Sequence, residues 1–528
     1  MSPRASLASL AILCSLLWSP PNARATFPAG FLWGTAISGF QTEAGGVPAN
    51  GDTGSDWWVW AHDSTNISEG HVSGDLPENG PGFYDRYPSD IKLAHQRLRS
   101  NALRLGIEWS RIFPTSTAGV DISGGITLAT LQQLDALANQ TEVTHYRAVL
   151  AAVRAEGLQP FVTILHYSLP LWIHDPIAAR DAFNGVGAND PPPTGFGPAG
   201  WLDSAIVPEF AKYCAYLAWK FGDQVDLWAP INEPFVVAAS GYVNLPGVIA
   251  SFFPPGVFSF AGALQVIENE VAGQAAAYDA IKQWDTVDAD GDGKNALVGL
   301  VHNMIYFAPQ RPTHPEDTVA AQHADYVFNR LWLNATINGD LDINVNGTID
   351  PGEHHPEFTG KADFVGVNYY FRGKTQSLGV AVTPLLPLFD FLPITTHQDC
   401  PTCSDLGWEI YPTGLRSVVQ EAGSYGLPVY ITENGIADHE DKLRRMYVVQ
   451  HLAVLEQAIT DGVADVRGYF HWSLVDNFEW ASGFDPKFGL FSFDPQTLKR
   501  KRRRSADFYA RIVKKNTVPT SLLKRYPY

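Results

Sequence analysis

Asp226-Leu-Trp-Ala-Pro-Ile-Asn-Glu-Pro234 is a short apolar run that ends abruptly in polar residues, the pattern of a buried strand that delivers side chains to a surface. The pattern recurs along the chain. Apolar strand segments are expected at Phe31 to Thr35, Ala102 to Gly106, Pro160 to His166, Asp226 to Asn232, Ala296 to His302, Asp363 to Asn368, Pro428 to Thr432 and Arg467 to Trp472. Most are followed by a polar or aromatic cluster: Gln41-Thr-Glu43, His166-Tyr167, Asn232-Glu233, Asn368-Tyr-Tyr370, Glu433-Asn-Gly435 and His471-Trp472. Long helical or irregular stretches separate them. Strands alternating with helices predict a parallel sheet, and about eight of them in roughly 500 residues predict a single α/β domain, a (β/α)8 TIM barrel with long loops over residues 26–528.

Composition agrees with one large folded unit. The 528 residues are 45% hydrophobic, which excludes intrinsic disorder, and 55 acidic against 37 basic side chains leave a net charge of -18. That charge repels nucleic acids and anionic membranes, so neither is expected as a partner. With 15 Trp, the chain carries many flat amphipathic rings, suited to sugar faces as well as to cores. Residues 1–25 read as a cleaved secretory signal: Arg4, an apolar run from Leu7 to Trp18, Pro20-Pro21, and an Ala23-Arg-Ala25 cleavage site. The apolar run is too short to span a bilayer and no later one is long enough, so an exported chain, secreted or periplasmic, without a transmembrane segment is expected. In an oxidising compartment Cys400-Pro-Thr-Cys403 can close a small disulfide, while Cys214 reads as a buried apolar thiol. The basic run Lys499 to Arg504 reads as the solvated start of a terminal helix over Ser505 to Lys514.

In a barrel the C-terminal strand ends converge on one mouth, so Glu233 and Glu433 would face each other there. Paired carboxylates flanking a bond are what glycoside hydrolysis requires: one protonates the leaving oxygen, the other attacks the anomeric carbon. The alternative is that each Glu merely caps the helix after its strand. Two of them, set among Trp, His and Asn, favour the catalytic reading.

Several longer motifs carry a resemblance. Phe31-Leu-Trp-Gly-Thr-Ala36 with Gln41, Trp109-Ser-Arg-Ile-Phe-Pro114, Ile231-Asn-Glu-Pro234, Val365-Gly-Val-Asn-Tyr-Tyr370, Gly407-Trp-Glu-Ile-Tyr-Pro412, Ile431-Thr-Glu-Asn-Gly435 and His471-Trp-Ser-Leu-Val-Asp-Asn-Phe-Glu-Trp480 occur in order. Together they resemble glycoside hydrolase family 1, the β-glucosidase and β-galactosidase family. Asp56-Trp-Trp-Val-Trp-Ala-His-Asp63 and Gly74-Asp-Leu-Pro-Glu-Asn-Gly-Pro81 look most like its branch with archaeal β-glycosidases. The resemblance implies retention of anomeric configuration, with Glu233 as acid/base, Glu433 as nucleophile, and Arg104 and Tyr370 as partners of the nucleophile. It further implies that Gln41, His166, Asn232, Glu479 and Trp480 grip the terminal sugar, that Trp472 stacks beneath it, and that Trp408 lines the leaving-group site. Hydroxyls both donate and accept, so amides, imidazole and carboxylate are suitable counterparts.

The chain also departs from the family pattern. Many members have His-Trp-Asp-Leu-Pro where this chain has His166-Tyr-Ser-Leu-Pro170, which changes the ring expected to meet the sugar. Where phospho-sugar members place a phosphate clamp, it has Glu479-Trp480 and Phe488, and a carboxylate repels a 6-phosphate. The expected activity is therefore that of an exported retaining β-glycosidase acting on terminal β-D-glucosyl residues of a β-glucoside or oligosaccharide, with galactosides or fucosides tolerated. A transglycosylase and a catalytically silent carbohydrate-binding barrel are the alternatives.

No cofactor is expected for catalysis. Asp342-Ile-Asn-Val-Asn-Gly-Thr-Ile-Asp-Pro-Gly-Glu353 satisfies the D-x-[DN]-x-[DN]-G-x5-E calcium-loop pattern. Its oxygen ligands would be Asp342, Asn344, Asn346, the Thr348 carbonyl and Glu353, with Gly347 at the turn. The other reading is a hydrated polar turn. Asp288-Ala-Asp-Gly-Asp-Gly293 has only the first half of the pattern and lacks the bidentate acid. Both loops precede strands, which predicts that they lie at the barrel end opposite the mouth.

Overall fold

The structure, a computed structural model, describes residues 26–243, 252–379, 391–397, 400 and 402–528. The expected signal segment, 1–25, lies outside the described residues. Each apolar run singled out in the sequence forms a strand within two residues of its expected bounds. These are β1 (Leu32–Ala36), β2 (Ala102–Gly106), β3 (Gln159–Leu165), β4 (Leu227–Ile231), β5 (Leu297–Asn303), β6 (Phe364–Asn368), β7 (Val429–Asn434) and β8 (Val466–Trp472). They close into a parallel barrel in sequential order, β8 pairing with β1. Burial on both faces explains why the strands read as continuous apolar runs: β2, β4, β6 and β7 are buried at every position.

Helices surround the barrel, among them Gln140–Ala155, Ile206–Phe221, Phe260–Trp284, Pro412–Gly423 and Arg444–Thr460. Above the C-terminal ends of β5 and β6 the chain adds a three-stranded sheet from Tyr306–Pro309, Arg372–Ser377 and Phe391–Ile394. No helix among the described residues is long and apolar enough to cross a membrane. Cys400 and Cys403 form a disulfide with Cα atoms 5.3 Å apart, and Cys214 is free and buried.

Aromatic rings fill the lower barrel. Phe161 meets Phe364 and Phe470 edge to face, at 5.5 and 5.4 Å between centroids, and Tyr430 packs on Phe364 at 5.0 Å. The backbone opposite has to give way to these rings. A Cβ on Gly34 would lie 2.3 Å from the Phe470 ring, and one on Gly299 would lie 2.1 Å from the Phe364 ring, so neither position admits a side chain. Beneath the rings, at the N-terminal barrel end, Phe364 and Tyr430 help to line a cavity of about 670 Å³, with Lys282, Asp285 and Arg467 around it.

The basic run near the C-terminus is solvated as expected at Lys499, Lys501, Arg502 and Arg504, and departs from that state at two positions. The terminal helix is Arg504–Lys515, but Arg500 forms a buried ion pair with Asp90, and Arg503 one with Asp476 at 2.7 Å. Two acids from distant segments recruit these cations, a long-range pairing that local sequence does not display.

Candidate active site

The carboxyl groups of Glu233 and Glu433 reach the mouth through local backbone irregularities. Glu433 ends β7, where pairing with β6 shifts register between Ile431 and Glu433, a bulge of the kind that re-aims a side chain. Glu233 follows β4 with φ of 46°, in the left-handed region, and Pro234 then starts the helix Pro234–Tyr242. Its side chain makes no helix cap, which removes the capping alternative for this residue.

The two carboxyls have opposite surroundings. Glu433 contacts the Arg104 guanidinium and accepts the Tyr370 hydroxyl at 2.5 Å. Arg104 is buried and held by Thr163 Oγ1 at 2.9 Å, the Thr432 carbonyl at 3.3 Å and Asn232 Oδ1 at 2.6 Å. Among the described residues Glu233 has no ion pair with a cation. Its Oε1 accepts from Asn368 at 2.7 Å and Asn303 at 3.3 Å, and its Oε2 from the Tyr167 hydroxyl. Burial, then the negative charge of Glu433, push the Glu233 carboxyl up to about 7 against the pull of these donors. Near neutrality one carboxyl of the pair is therefore poised to give up a proton, while the other is built around a positive charge.

The expected sugar-binding residues gather around this pair. The His166 ring lies nearly parallel to Trp472 and Trp480, at centroid distances of 5.8 and 5.9 Å. Burial and the nearby Arg104 hold its imidazole well below the ordinary histidine range, hence neutral. Its Nε2 meets Asn232 at 3.2 Å, and its Nδ1 lacks a protein partner. Gln41 is oriented by Ser38 at 2.7 Å and donates to the Phe478 carbonyl at 2.9 Å, beside Glu479. Trp408 and Phe488 pack against Tyr370, at 5.7 and 6.0 Å, and form one lip of the mouth.

Glu479 differs from expectation in charge. Burial, then Glu433 and Glu233, push its carboxyl up to about 8, and its Oε2 has no protein partner. At neutral pH it is mostly a neutral acid, so a full carboxylate charge at Glu479 is not what opposes a 6-phosphate. A phosphate there would instead add its charge to a site that already holds the Glu433 carboxylate, whose partner cation, Arg104, is engaged.

Four contributors were not singled out from sequence. Asn303 and Asn368 are strand-end amides that look like any others until the fold aims them at Glu233. Tyr167 appeared in a strand-end cluster and as a departure from a family pattern, with no role given to it. Glu108 is buried behind the site, where it accepts from the Phe40 amide at 2.9 Å and the Ser168 hydroxyl at 2.5 Å, tying the Gln41 segment to the His166–Tyr167 segment.

The acidic loops fall outside the mouth, and not quite as expected. The Asp342–Glu353 loop climbs the flank of the preceding helix instead of lying beneath the barrel. Asp342 accepts the Tyr326 hydroxyl at 2.6 Å, and the Val345 carbonyl lies 3.3 Å from the His323 ring. In the loop, Asp342 accepts the amides of Asn346 and Gly347, and Glu353 those of Ile343 and Asp350. The half-pattern loop does lie at the lower end. Asp226, at the foot of β4, brings a third acid to Asp288 and Asp290, their oxygens within 4.8 Å of one another.

Comparison with known proteins agrees with this geometry. The profile described as Glycosyl hydrolase family 1 matches residues 23–179 and 190–518. The chain is similar to a β-galactosidase of Pyrococcus woesei, with 41% identity over 93% of this chain and 98% of the relative. The structure resembles the β-glycosidase of Thermosphaera aggregans, with a TM-score of 0.81 and 34% identity over 94% of this chain and 99% of that one. It also resembles a β-glucosidase from Pyrococcus furiosus, with a TM-score of 0.78 and 34% identity over 95% of this chain and 100% of that one.

Proposed function

This chain belongs to glycosyl hydrolase family 1 and is a glycoside hydrolase of the β-glucosidase/β-galactosidase kind, and from that premise we propose that it is an exported enzyme that removes terminal β-D-glucosyl residues with retention. The observation that carries the reading is the asymmetry of the carboxyl pair: Glu233 pushed up to about 7, Glu433 against Arg104 and Tyr370. In the first step Glu233 protonates the glycosidic oxygen while a Glu433 oxygen attacks the anomeric carbon, forming a glycosyl ester and releasing the aglycone. Esterification removes the charge of Glu433, and with it the second of the two causes, after burial, that raise Glu233. Glu233 then takes a proton from water, whose oxygen attacks the anomeric carbon and frees the Glu433 carboxylate. Retention requires the carboxyl groups to be about 5 Å apart. Hydrolysis of an aryl β-glucoside followed by NMR should give the β-anomer first; initial release of the α-anomer would refute the two-step reading. A panel of nitrophenyl glycosides, then cello-oligosaccharides, ranks glucoside against galactoside and fucoside. Export is tested by the N-terminus of protein recovered outside the cytoplasm, expected at Thr26.

We also propose calcium as a brace for the 342–353 loop, since oxygen atoms of Asp342, Asn344, Asn346 and Glu353 are the donor set a hard cation takes. Chelation should lower the Tm and calcium restore it, without moving the pH profile of catalysis. A Tm indifferent to both treatments removes the proposal.

A further inference from the structure

Tyr167 stands where the chain departs from the common family pattern, and its hydroxyl meets the acid/base carboxyl. It occupies Glu233 Oε2, while Asn368 and Asn303 occupy Oε1. The arrangement is held firmly. Tyr167 has φ of 70°, a left-handed conformation unfavourable for a bulky residue. Its neighbours fix that turn: Ser168 donates its amide to the His166 carbonyl at 3.0 Å and its hydroxyl to Glu108, and the Leu169 amide donates to Asp56 at 2.8 Å. The Tyr167 ring is walled edge-on by His166, Phe253 and Trp480, each about 5.0 Å away between centroids. An unfavourable backbone conformation, braced on both sides, thus ends in one polar contact.

The charged and titratable groups around Glu233 act in different directions. Glu433 and Glu479 disfavour a second negative charge, and Arg104 is spent on Glu433 and Asn232. His166 is neutral, and the Tyr370 hydroxyl donates to Glu433. Tyr167 and the two amides are therefore what favours the ionised form of Glu233 directly. A phenol can donate or accept. Toward a carboxylate it donates, and this holds the carboxyl plane in place while stabilising the anion.

We propose that Tyr167 is a positioning residue for acid/base catalysis: its hydroxyl orients the Glu233 carboxyl and stabilises its ionised form, thereby setting the upper pH limit of the reaction. The proposal rests on the role assigned to Glu233 above. It makes Tyr167 part of the acid/base apparatus and leaves sugar binding to His166, Asn232, Gln41 and the tryptophans.

The test compares wild type with Tyr167→Phe, which keeps the ring and removes the hydroxyl, and with 3-fluorotyrosine at position 167, a stronger donor of the same shape. The readouts are kcat/KM for 4-nitrophenyl β-glucoside against pH, and inhibition by glucose. In Tyr167→Phe the basic limb should move up by about one pH unit with the acidic limb in place. Fluorotyrosine should move the basic limb down, and glucose inhibition should stay within about twofold in both. A basic limb unmoved by either change, or loss of glucose inhibition without a shift, overturns the proposal and makes Tyr167 a packing or sugar-binding residue. If wild type cleaves no aryl glycoside, it is the assigned function that fails.

Discussion

Glu233 and Glu433 carry the same functional group in one pocket, and in the proposed mechanism only their neighbours separate an acid from a nucleophile. Removing each should expose the difference. Glu433→Ala should abolish hydrolysis, with azide restoring turnover to the α-glycosyl azide. Glu233→Ala should spare substrates with good leaving groups and yield the β-azide. Azide products of the same configuration from both variants would falsify the role assignment. Glu479 supports a second prediction. A 6-phosphoglucoside should be cleaved at least ~100-fold less efficiently than the free glucoside, because its phosphate brings more negative charge into a buried site whose carboxyls already raise one another and whose arginine is occupied. Faster turnover of the phosphorylated substrate contradicts this account of the pocket. At this scale sequence conveyed identity better than state. The motifs singled out both carboxylates, yet the near-neutral value of Glu233 and the protonated Glu479 arise from burial and mutual repulsion among residues remote in sequence.

Among the elements, strands were the most legible, because double burial leaves an apolar run that polar residues terminate. Their irregularities were not legible. The register shift that turns Glu433 inward, and the left-handed turns at Tyr167 and Glu233, depend on pairing partners and braces elsewhere in the chain. The loops were read in part: the Asp288 turn lacked an acid locally, and Asp226 supplies one from another strand. Gly299 in β5 was simply a small residue in a strand until Phe364 appeared against it. Gly299→Ala should destabilise the protein by about 1–3 kcal/mol through overpacking, visible as a lower Tm. A Tm unchanged by this substitution would mean that the rings shift freely and the barrel interior is loosely packed.

Across the whole molecule, burial has displaced two sets of groups in opposite senses. Glu43, Glu108, Glu233 and Glu479 are raised, mainly by burial, to about 7, 8, 7 and 8. The folded state therefore holds protons that the unfolded chain has released, and stability falls as pH rises from about 4.5 through 8. His302, His451 and His471 are lowered by burial to about 4, 3 and 3, so their contribution is lost as pH falls from about 6.5 through that range. The Tm should consequently peak between about pH 4.5 and 6.5 and decline on both sides. A Tm still rising between pH 7 and 8 would contradict this balance. The aromatic plug under the site has a different consequence, one of traffic. Phe161, Phe364, Phe470 and Tyr430 seal the barrel below the carboxyls, so the sugar well is a cul-de-sac. On the proposed function a chain puts its end into it, and the aglycone, nearer the opening, departs before the sugar behind it. The monosaccharide is then last out by the way it entered, and while it lingers it shuts out the next substrate, so glucose should compete with substrate for the free enzyme.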